Sequence, residues 1–125
     1  MSYMFNGYNT LMKLTTLDVS HFNTSNVQDM YGMFNRDASL TKLDLSKWDI
    51  SKLIHNANYY GIHWLVESCS NLTTVGDISK WNISGVGAYR AFVGCPKLTT
   101  LGPIDTFLNG KLHQVIQVKC LQIVL

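Results

Sequence analysis

The chain has 125 residues, of which 46% are hydrophobic and 14% are charged, and its formal net charge is +2. This composition supplies enough apolar material for the core of one domain and too little charge for a disordered tail. The small net charge, with basic residues scattered along the chain, gives no indication of nucleic-acid or anionic-membrane binding. No apolar stretch reaches about 18 residues, so no membrane-spanning helix is expected.

An internal repeat is the strongest signal in the sequence. The segment DVSHFNTS at 18–25 recurs as DLSKWDIS at 44–51 and as DISKWNIS at 77–84, with shifts of 26 and 33 residues. A second element, MSYMF at 1–5, recurs as MYGMF at 30–34 and more loosely as AYRAF at 88–92. About four units are therefore expected, with an insertion in the second unit around 53–62.

Each unit is predicted to be a short strand followed by a helical turn. Around 17–20, apolar and polar residues alternate, which is typical of a strand with Leu17 and Val19 facing inward. The next stretch resembles a helix start, because Ser25 and Gln28 have the spacing of a capping box. Four apolar residues then share one helical face; they are Val27, Met30, Met33 and Phe34.

One such unit cannot bury both of its apolar faces, whereas stacked units can. Parallel strands about 4.8 Å apart would then align like residues in columns. The predicted aromatic columns are Phe22, Trp48, Trp81 and Phe107, and Phe5, Phe34, Val66 and Phe92. The predicted fold is thus an α/β repeat solenoid over 1–107, followed by a non-repeat tail at 108–125 that could cap the last coil.

The pattern Leu-x-x-Leu-Asp-Leu-Ser-x-Trp/Phe-Asp/Asn-x-Ser, followed by Val-x-x-Met-x-x-Met-Phe, resembles the BspA-type leucine-rich-repeat surface proteins of bacteria. The match is best at 17–45 and covers about 1–107. The resemblance implies a leucine-rich-repeat solenoid on a cell-surface or secreted protein, with roles in adhesion, aggregation or host contact. The chain departs from the pattern at Tyr8 or Ala38, where the family has cysteine, and at Leu65-Val66, which replaces Met-Phe.

The outward strand residues are predicted to share one surface, which is the default binding face of a repeat array. A competing interpretation is that these Asp and Ser residues only solvate the sheet and bond to neighbouring amides. Stacked aspartates about 5 Å apart would repel unless Lys42 or a bound cation compensates. The candidate binding residues are Thr16, Asp18, Ser20, Lys42, Asp44, Ser46, Thr74, Asp77 and Ser79.

The remaining polar residues indicate no catalytic, cofactor or metal site. Cys69 and Cys95 occupy the same repeat position, so they could form a disulfide or serve as small buried fillers. His55, His63 and Cys69 have no standard zinc spacing, and a surface loop is predicted there. The Gly-x-Gly at 85–87 lacks the third glycine of a nucleotide-binding loop.

These observations favour a non-catalytic surface binding or adhesion module whose partner is a protein or a host or matrix surface ligand. The alternative is a structural spacer or a self-assembling repeat segment whose open coil ends stack on other copies. Because Met1 falls within a repeat, we expect either an excised piece of a longer protein or a degenerate short protein. Residues 1–7 have no signal-peptide pattern, so an export signal, if the parent protein is exported, is expected elsewhere.

Overall fold

The computed structural model of the chain describes residues 1–8, 13–54, 61–83 and 86–98. Within these ranges there is no helix and no β-strand, and the only ladder pairing consists of two isolated parallel bridges, Thr16 with Lys42 and Lys42 with Thr74. The predicted α/β leucine-rich-repeat solenoid, with short strands and helical turns, is therefore wrong for this part of the chain. Phe107 and the predicted tail at 108–125 lie outside the described residues.

The stretch predicted as a helix is instead a run of tight turns. The carboxylate of Asp29 accepts a hydrogen bond from the Tyr31 amide at 2.9 Å, and side-chain bonds of this kind compete with helix formation. Gly32 has a φ of 57°, which lies outside the right-handed helical region. The hydroxyl of Ser25 donates to the Asn23 side chain at 2.7 Å, so it makes a local turn where a helix cap was predicted.

Four turn segments, at 1–8, 30–37, 62–69 and 88–95, stack on one another through backbone hydrogen bonds. Successive backbone amides along a segment alternate between two roles. One set donates to carbonyls three residues earlier in the same segment and so forms turns, and the other set donates to carbonyls of the next segment. The second set runs from Tyr3, Phe5 and Gly7 to Tyr31, Met33 and Asn35; from Met30, Gly32, Phe34 and Arg36 to Gly61, His63, Leu65 and Glu67; and from Ile62, Trp64, Val66 and Ser68 to Gly87, Tyr89, Ala91 and Val93.

The turns require left-handed backbone at fixed positions. Each segment has a central apolar residue; these are Phe5, Phe34, Val66 and Phe92. The residues two places before them have φ between 55° and 57°; they are Tyr3, Gly32, Trp64 and Arg90. A positive φ at the third residue of a four-residue turn is the type II geometry, which glycine adopts without strain. For a residue with a side chain the cost is about 1–2 kcal/mol. Tyr3, Trp64 and Arg90 carry this cost, and the bonds between segments offset it.

The buried side chains form one hydrophobic cluster that runs through the stack. The ring of Phe5 stacks on Phe34 at 5.5 Å, and that of Phe22 stacks on Trp48 at 6.2 Å. The Trp48 indole N–H also donates to the Val19 carbonyl at 3.0 Å. The first two rings of each predicted column are therefore stacked, as predicted. Val66, Trp81 and Phe92 of these columns are buried in the same cluster.

The predicted inward residues are also found inside. Leu17 is partly exposed and packs against the cluster, and the others are buried; they are Val19, Leu43, Leu45, Val75 and Ile78. The alternation of apolar and polar residues thus identified the buried side correctly, although no strand forms there.

Candidate functional site

The two parallel bridges bring residues from three units into one row on the surface. The row consists of Thr16, Lys42 and Thr74. Beside it, Thr41 donates to the Thr15 carbonyl through both its amide, at 2.8 Å, and its hydroxyl, at 2.9 Å. Thr73 makes the same pair of bonds to the Thr41 carbonyl, both at 2.9 Å. These doubled bonds hold the neighbouring segments in register and fix the spacing of the row.

An open groove with a volume of about 430 Å³ lies over this row. Its lining residues are Thr16, Leu17, Asp18, Lys42, Leu43, Asp44, Thr74 and Gly76. Five of the nine predicted binding residues are therefore brought together, and four are not. Ser20, Ser46, Asp77 and Ser79 lie outside the groove lining.

Two serines outside the groove fix the orientation of the two aspartate side chains that line it. The Ser20 amide donates to Asp18 and the Ser46 amide donates to Asp44, both at 2.9 Å. These are Asx turns, in which a side chain bonds to the backbone two residues on. For Ser20 and Ser46 the competing interpretation, local bonding to neighbouring amides, is therefore the one that the structure supports.

The same bonds keep the groove carboxylates ionised. Hydrogen bonds from Ser46 lower the pKa of Asp44, and those from Ser20 lower the pKa of Asp18. Lys47 lowers the pKa of both carboxyls by a weaker through-space attraction. The repulsion that we predicted between stacked aspartates is present, but it is only the weakest influence on Asp44.

Lys42 has a different role from the one predicted. Among the described residues, no carboxylate lies within 4.0 Å of its ammonium group. Lys47 is the lysine that lowers the pKa of both groove aspartates by through-space attraction, and the His21 imidazole lies 4.0 Å from Asp18. Lys42 is exposed, so its charge is available to a ligand.

The third unit changes the shape of the groove because it carries Gly76 where the first two units carry aspartate. Gly76 has a φ of 78°, and a Cβ there would lie 2.2 Å from Oδ1 of Asp44. The Asp44 carboxylate therefore packs against Gly76, in the space that a side chain at this position would occupy. Asp77 is displaced by one residue and makes its own turn with the Ser79 amide at 3.0 Å, away from the groove.

A second surface feature, an aromatic ladder, was missed in the sequence. The Tyr31 ring lies 5.2 Å from Tyr3 and 5.1 Å from Trp64, and the His63 ring lies 6.2 Å from both Tyr31 and Tyr89. His63, for which a surface loop was predicted, is in fact buried, and its Nδ1 accepts the Tyr89 amide at 3.2 Å. His55 lies outside the described residues. Burial raises the pKa of Tyr31 to about 12.

A buried polar cluster also joins three turn segments. Glu67 pairs with Arg90 at 2.6 Å through one carboxylate oxygen and accepts the Asn35 amide at 3.0 Å through the other. Burying a charge without a partner is costly, and the contacts with Arg90 and Asn35 offset the cost of burying the Glu67 carboxylate. The only sequence signal for this cluster is that Asn35 and Glu67 each follow the central apolar residue of their segment.

The two cysteines that share a repeat position are buried free thiols. Cys69 donates to the Phe34 carbonyl and Cys95 to the Val66 carbonyl, both at 3.0 Å. Burial raises the pKa of the Cys69 thiol, which disfavours the reactive thiolate. Of the two interpretations left open by the sequence, the structure therefore supports buried fillers. In the second segment the equivalent position is taken by Asp37, which is buried.

The described ranges contain no group of three or more His, Cys, Asp or Glu side chains placed to hold a metal ion. The same ranges contain no helix with the length and apolar character needed to cross a membrane.

Together these features define a repeat chain of stacked turn segments with an open, charged groove on one side. Residues 1–98 match the model of a family described as "Mycoplasma protein of unknown function, DUF285", and the chain belongs to this family. No curated protein and no solved structure matches the chain.

Proposed function

We propose that the chain is a non-catalytic binding module that holds a protein or a host or matrix surface ligand in the groove. The observation that carries this proposal is the groove itself, which assembles residues from three units over a row held by parallel bridges. Repeat arrays commonly bind partners across a surface built from successive units. The similarity of the repeat to BspA-type surface proteins supports a cell-surface or secreted location and a role in adhesion.

The polar groups of the groove suit binding better than catalysis. Asp18 and Asp44 are held ionised by Asx turns, so neither is poised to exchange a proton near neutral pH. The groove is open, whereas catalytic sites generally exclude water around the reacting atoms. Exposed charges at such a site affect association rate and selectivity most strongly.

The experiment measures binding of the full chain to immobilised collagen, laminin and mucin by biolayer interferometry. We expect measurable binding to at least one of them, weakened by up to about fivefold in Asp44→Asn and in Lys42→Gln, because each exposed charge pair contributes about 0.2–1 kcal/mol. Asparagine keeps the acceptor of the Asx turn, as Asn23 does with the Ser25 amide at 3.1 Å. Asp44→Asn therefore changes charge and leaves the turn in place.

The matched controls are Asp49→Asn and Lys52→Gln. Asp49 makes the same turn, accepting the Ser51 amide at 2.8 Å, and both residues are exposed outside the groove. These controls should bind as the unmodified chain does. Equal losses in the groove variants and the controls would mean that net charge, and not the groove, governs binding, and the proposal would fail.

A self-assembling repeat segment remains the second candidate, and the first turn segment favours it. The carbonyls of Ser2 and Met4 are equivalent to those of Tyr31 and Met33, which accept bonds from a neighbouring segment. Within the described residues, Ser2 and Met4 have no such neighbour, and Met4 is 51% exposed. Sedimentation velocity over a concentration series should then show association that Met4→Glu abolishes. A monomer at all concentrations would exclude this candidate.

A further inference from the structure

We infer that the groove selects an extended peptide segment that carries one acidic and one basic side chain two residues apart. This inference rests on the proposed function, because it names the class of ligand that the same groove would hold. It depends on the spacing of Lys42 and Asp44, on the availability of their charges, and on the arrangement of the groups around them.

The spacing comes from the local backbone. Lys42 and Asp44 are both exposed and line the groove, whereas Leu43 between them is only 2% exposed. Residues two apart in extended chain lie on the same side, about 6.7 Å from each other. The groove therefore presents one positive and one negative side chain on the same side, on Cα atoms about 6.7 Å apart.

Both charges are available to a ligand. No carboxylate among the described residues pairs with the Lys42 ammonium. Asp44 is exposed and accepts hydrogen bonds from the side chain and the amide of Ser46, and a carboxylate has about four acceptor sites, so it can accept further bonds from a ligand. A ligand can therefore form an ion pair at each end of the Lys42–Asp44 segment without breaking a bond within the protein.

The neighbouring units make the two ends of the groove different in character. Thr16 and Thr74 flank Lys42 in the bridged row, so the Lys42 side chain leaves the backbone between two hydroxyl-bearing residues. On the other side, Asp18 lies near enough to Asp44 to raise its pKa slightly, so two carboxylates favour a cation there. A polyanion would be repelled from this end, and an uncharged ligand would form an ion pair at neither end.

An extended peptide has the complementary arrangement. Its side chains at positions i and i+2 lie on one side about 6.7 Å apart, so an acidic and a basic residue at these positions meet Lys42 and Asp44 together. Adjacent residues point to opposite sides of an extended chain and cannot do this. The groove volume, about 430 Å³, lies within the range of ordinary ligand sites.

The test uses synthetic peptides with the unmodified chain and two variants. Three heptapeptides of the same composition, with threonine and glycine as filler, carry Glu and Lys in the orders Glu-Thr-Lys, Lys-Thr-Glu and Glu-Lys. Two further peptides replace the pair with two Glu or with two Lys. Affinities are measured by the change in amide NMR signals of the isotope-labelled protein on titration.

We expect one spaced order to bind up to about fivefold more tightly than the adjacent order, with signal changes centred on 42–44. The preference should disappear in Lys42→Gln and in Asp44→Asn, persist in Asp49→Asn, and weaken from about 0.02 to 0.5 M salt. Equal affinity for the spaced and adjacent orders would overturn the inference. Tighter binding of the Glu-only or Lys-only peptide, or binding insensitive to salt, would overturn it as well.

This result separates the inference from the proposed function. If collagen, laminin or mucin binding depends on Lys42 while no peptide order is preferred, the groove is a binding site for another class of ligand. If neither the immobilised proteins nor the peptides respond to Lys42→Gln, the proposed function itself is wrong.

Discussion

Replacing Gly76 with alanine tests how the third unit supports the groove. A Cβ at this position would lie 2.2 Å from Oδ1 of Asp44, closer than real contacts allow. The obstructing atom is the end of a side chain, so Asp44 can move away. In doing so its carboxylate should lose the hydrogen bond from the Ser46 amide, which is 2.9 Å long in the native groove.

Two effects on stability oppose each other in Gly76→Ala. The φ of 78° is unfavourable for alanine, at a cost of about 1–2 kcal/mol. Alanine also has fewer unfolded conformations than glycine, which returns about 0.4–1 kcal/mol. The net loss should be about 1 kcal/mol, measured by urea denaturation, with a fall in Tm of about 4 °C.

The pKa of Asp44, followed by carboxyl NMR, provides the decisive readout. It is lowered chiefly by hydrogen bonds from Ser46, so it should rise toward 3.8 when Gly76→Ala displaces the carboxylate. A carboxyl with a lowered folded pKa stabilises the protein above 3.8, and this contribution is lost as pH falls through the folded pKa. The stability difference between Gly76→Ala and the native chain should therefore shrink at low pH.

The matched control is Gly94→Ala, since Gly94 has a similar φ of 75° but a Cβ there would lie 3.1 Å from Ser68, which is not a groove residue. It should lose at least as much stability and leave the Asp44 pKa unchanged. If Gly76→Ala keeps both the native stability and the low Asp44 pKa, then Gly76 neither adopts the left-handed conformation nor supports the carboxylate.

Three further predictions concern the interior of the stack. Trp48→Phe should lose about 0.5–1.5 kcal/mol in urea denaturation, because it removes the indole hydrogen bond to the Val19 carbonyl, which then accepts only the Phe22 amide, and an unchanged midpoint would contradict the bond. Burial raises the pKa of Asp37 above 3.8, so Asp37→Asn should be more stable than the native chain at pH 7 but not below pH 3.8; equal stability at both pH values would show that Asp37 is not desolvated. A tyrosine absorbance titration should show one group ionising at about 12 that is missing in Tyr31→Phe, and its persistence in that variant would assign the group elsewhere.

The sequence was sufficient to identify the buried side of each unit and the row on its surface. The alternation of apolar and polar residues predicted that Leu43 and Leu45 are buried. The repeat predicted that Thr16 aligns with Lys42, because equivalent residues in stacked units lie side by side. Five of the nine predicted binding residues line the groove for the same reason. Asp77 was misplaced because the extra Gly76 moves it out of the row.

The helical turn was predicted wrongly because two structures share one hydrophobic spacing. Met30, Met33 and Phe34 are spaced as on a helix face, but a run of turns also buries all three. Gly32 and the turn-forming Asp29 were the available signals against a helix. They were outweighed because glycine and aspartate also occur in and around helices.

The aromatic ladder could not be found from repeat positions. Tyr3 precedes the central apolar residue of its segment by two places, whereas Tyr31 and Tyr89 precede theirs by three. The rings meet because Tyr3 folds over Gly32, where a Cβ would lie 2.6 Å from the Tyr3 ring. Such contacts between different repeat positions depend on side-chain direction, which a sequence pattern does not carry.

The alternating amides of the turn segments have a consequence for how this chain tolerates change in length. Each segment is tied to its neighbours through its own short backbone, while the stretches that connect segments differ in length along the chain. Additions or deletions in those connections can therefore leave the stacking intact. The connections also carry the groove residues, so the scaffold can stay constant while the surface that meets other molecules is reshaped.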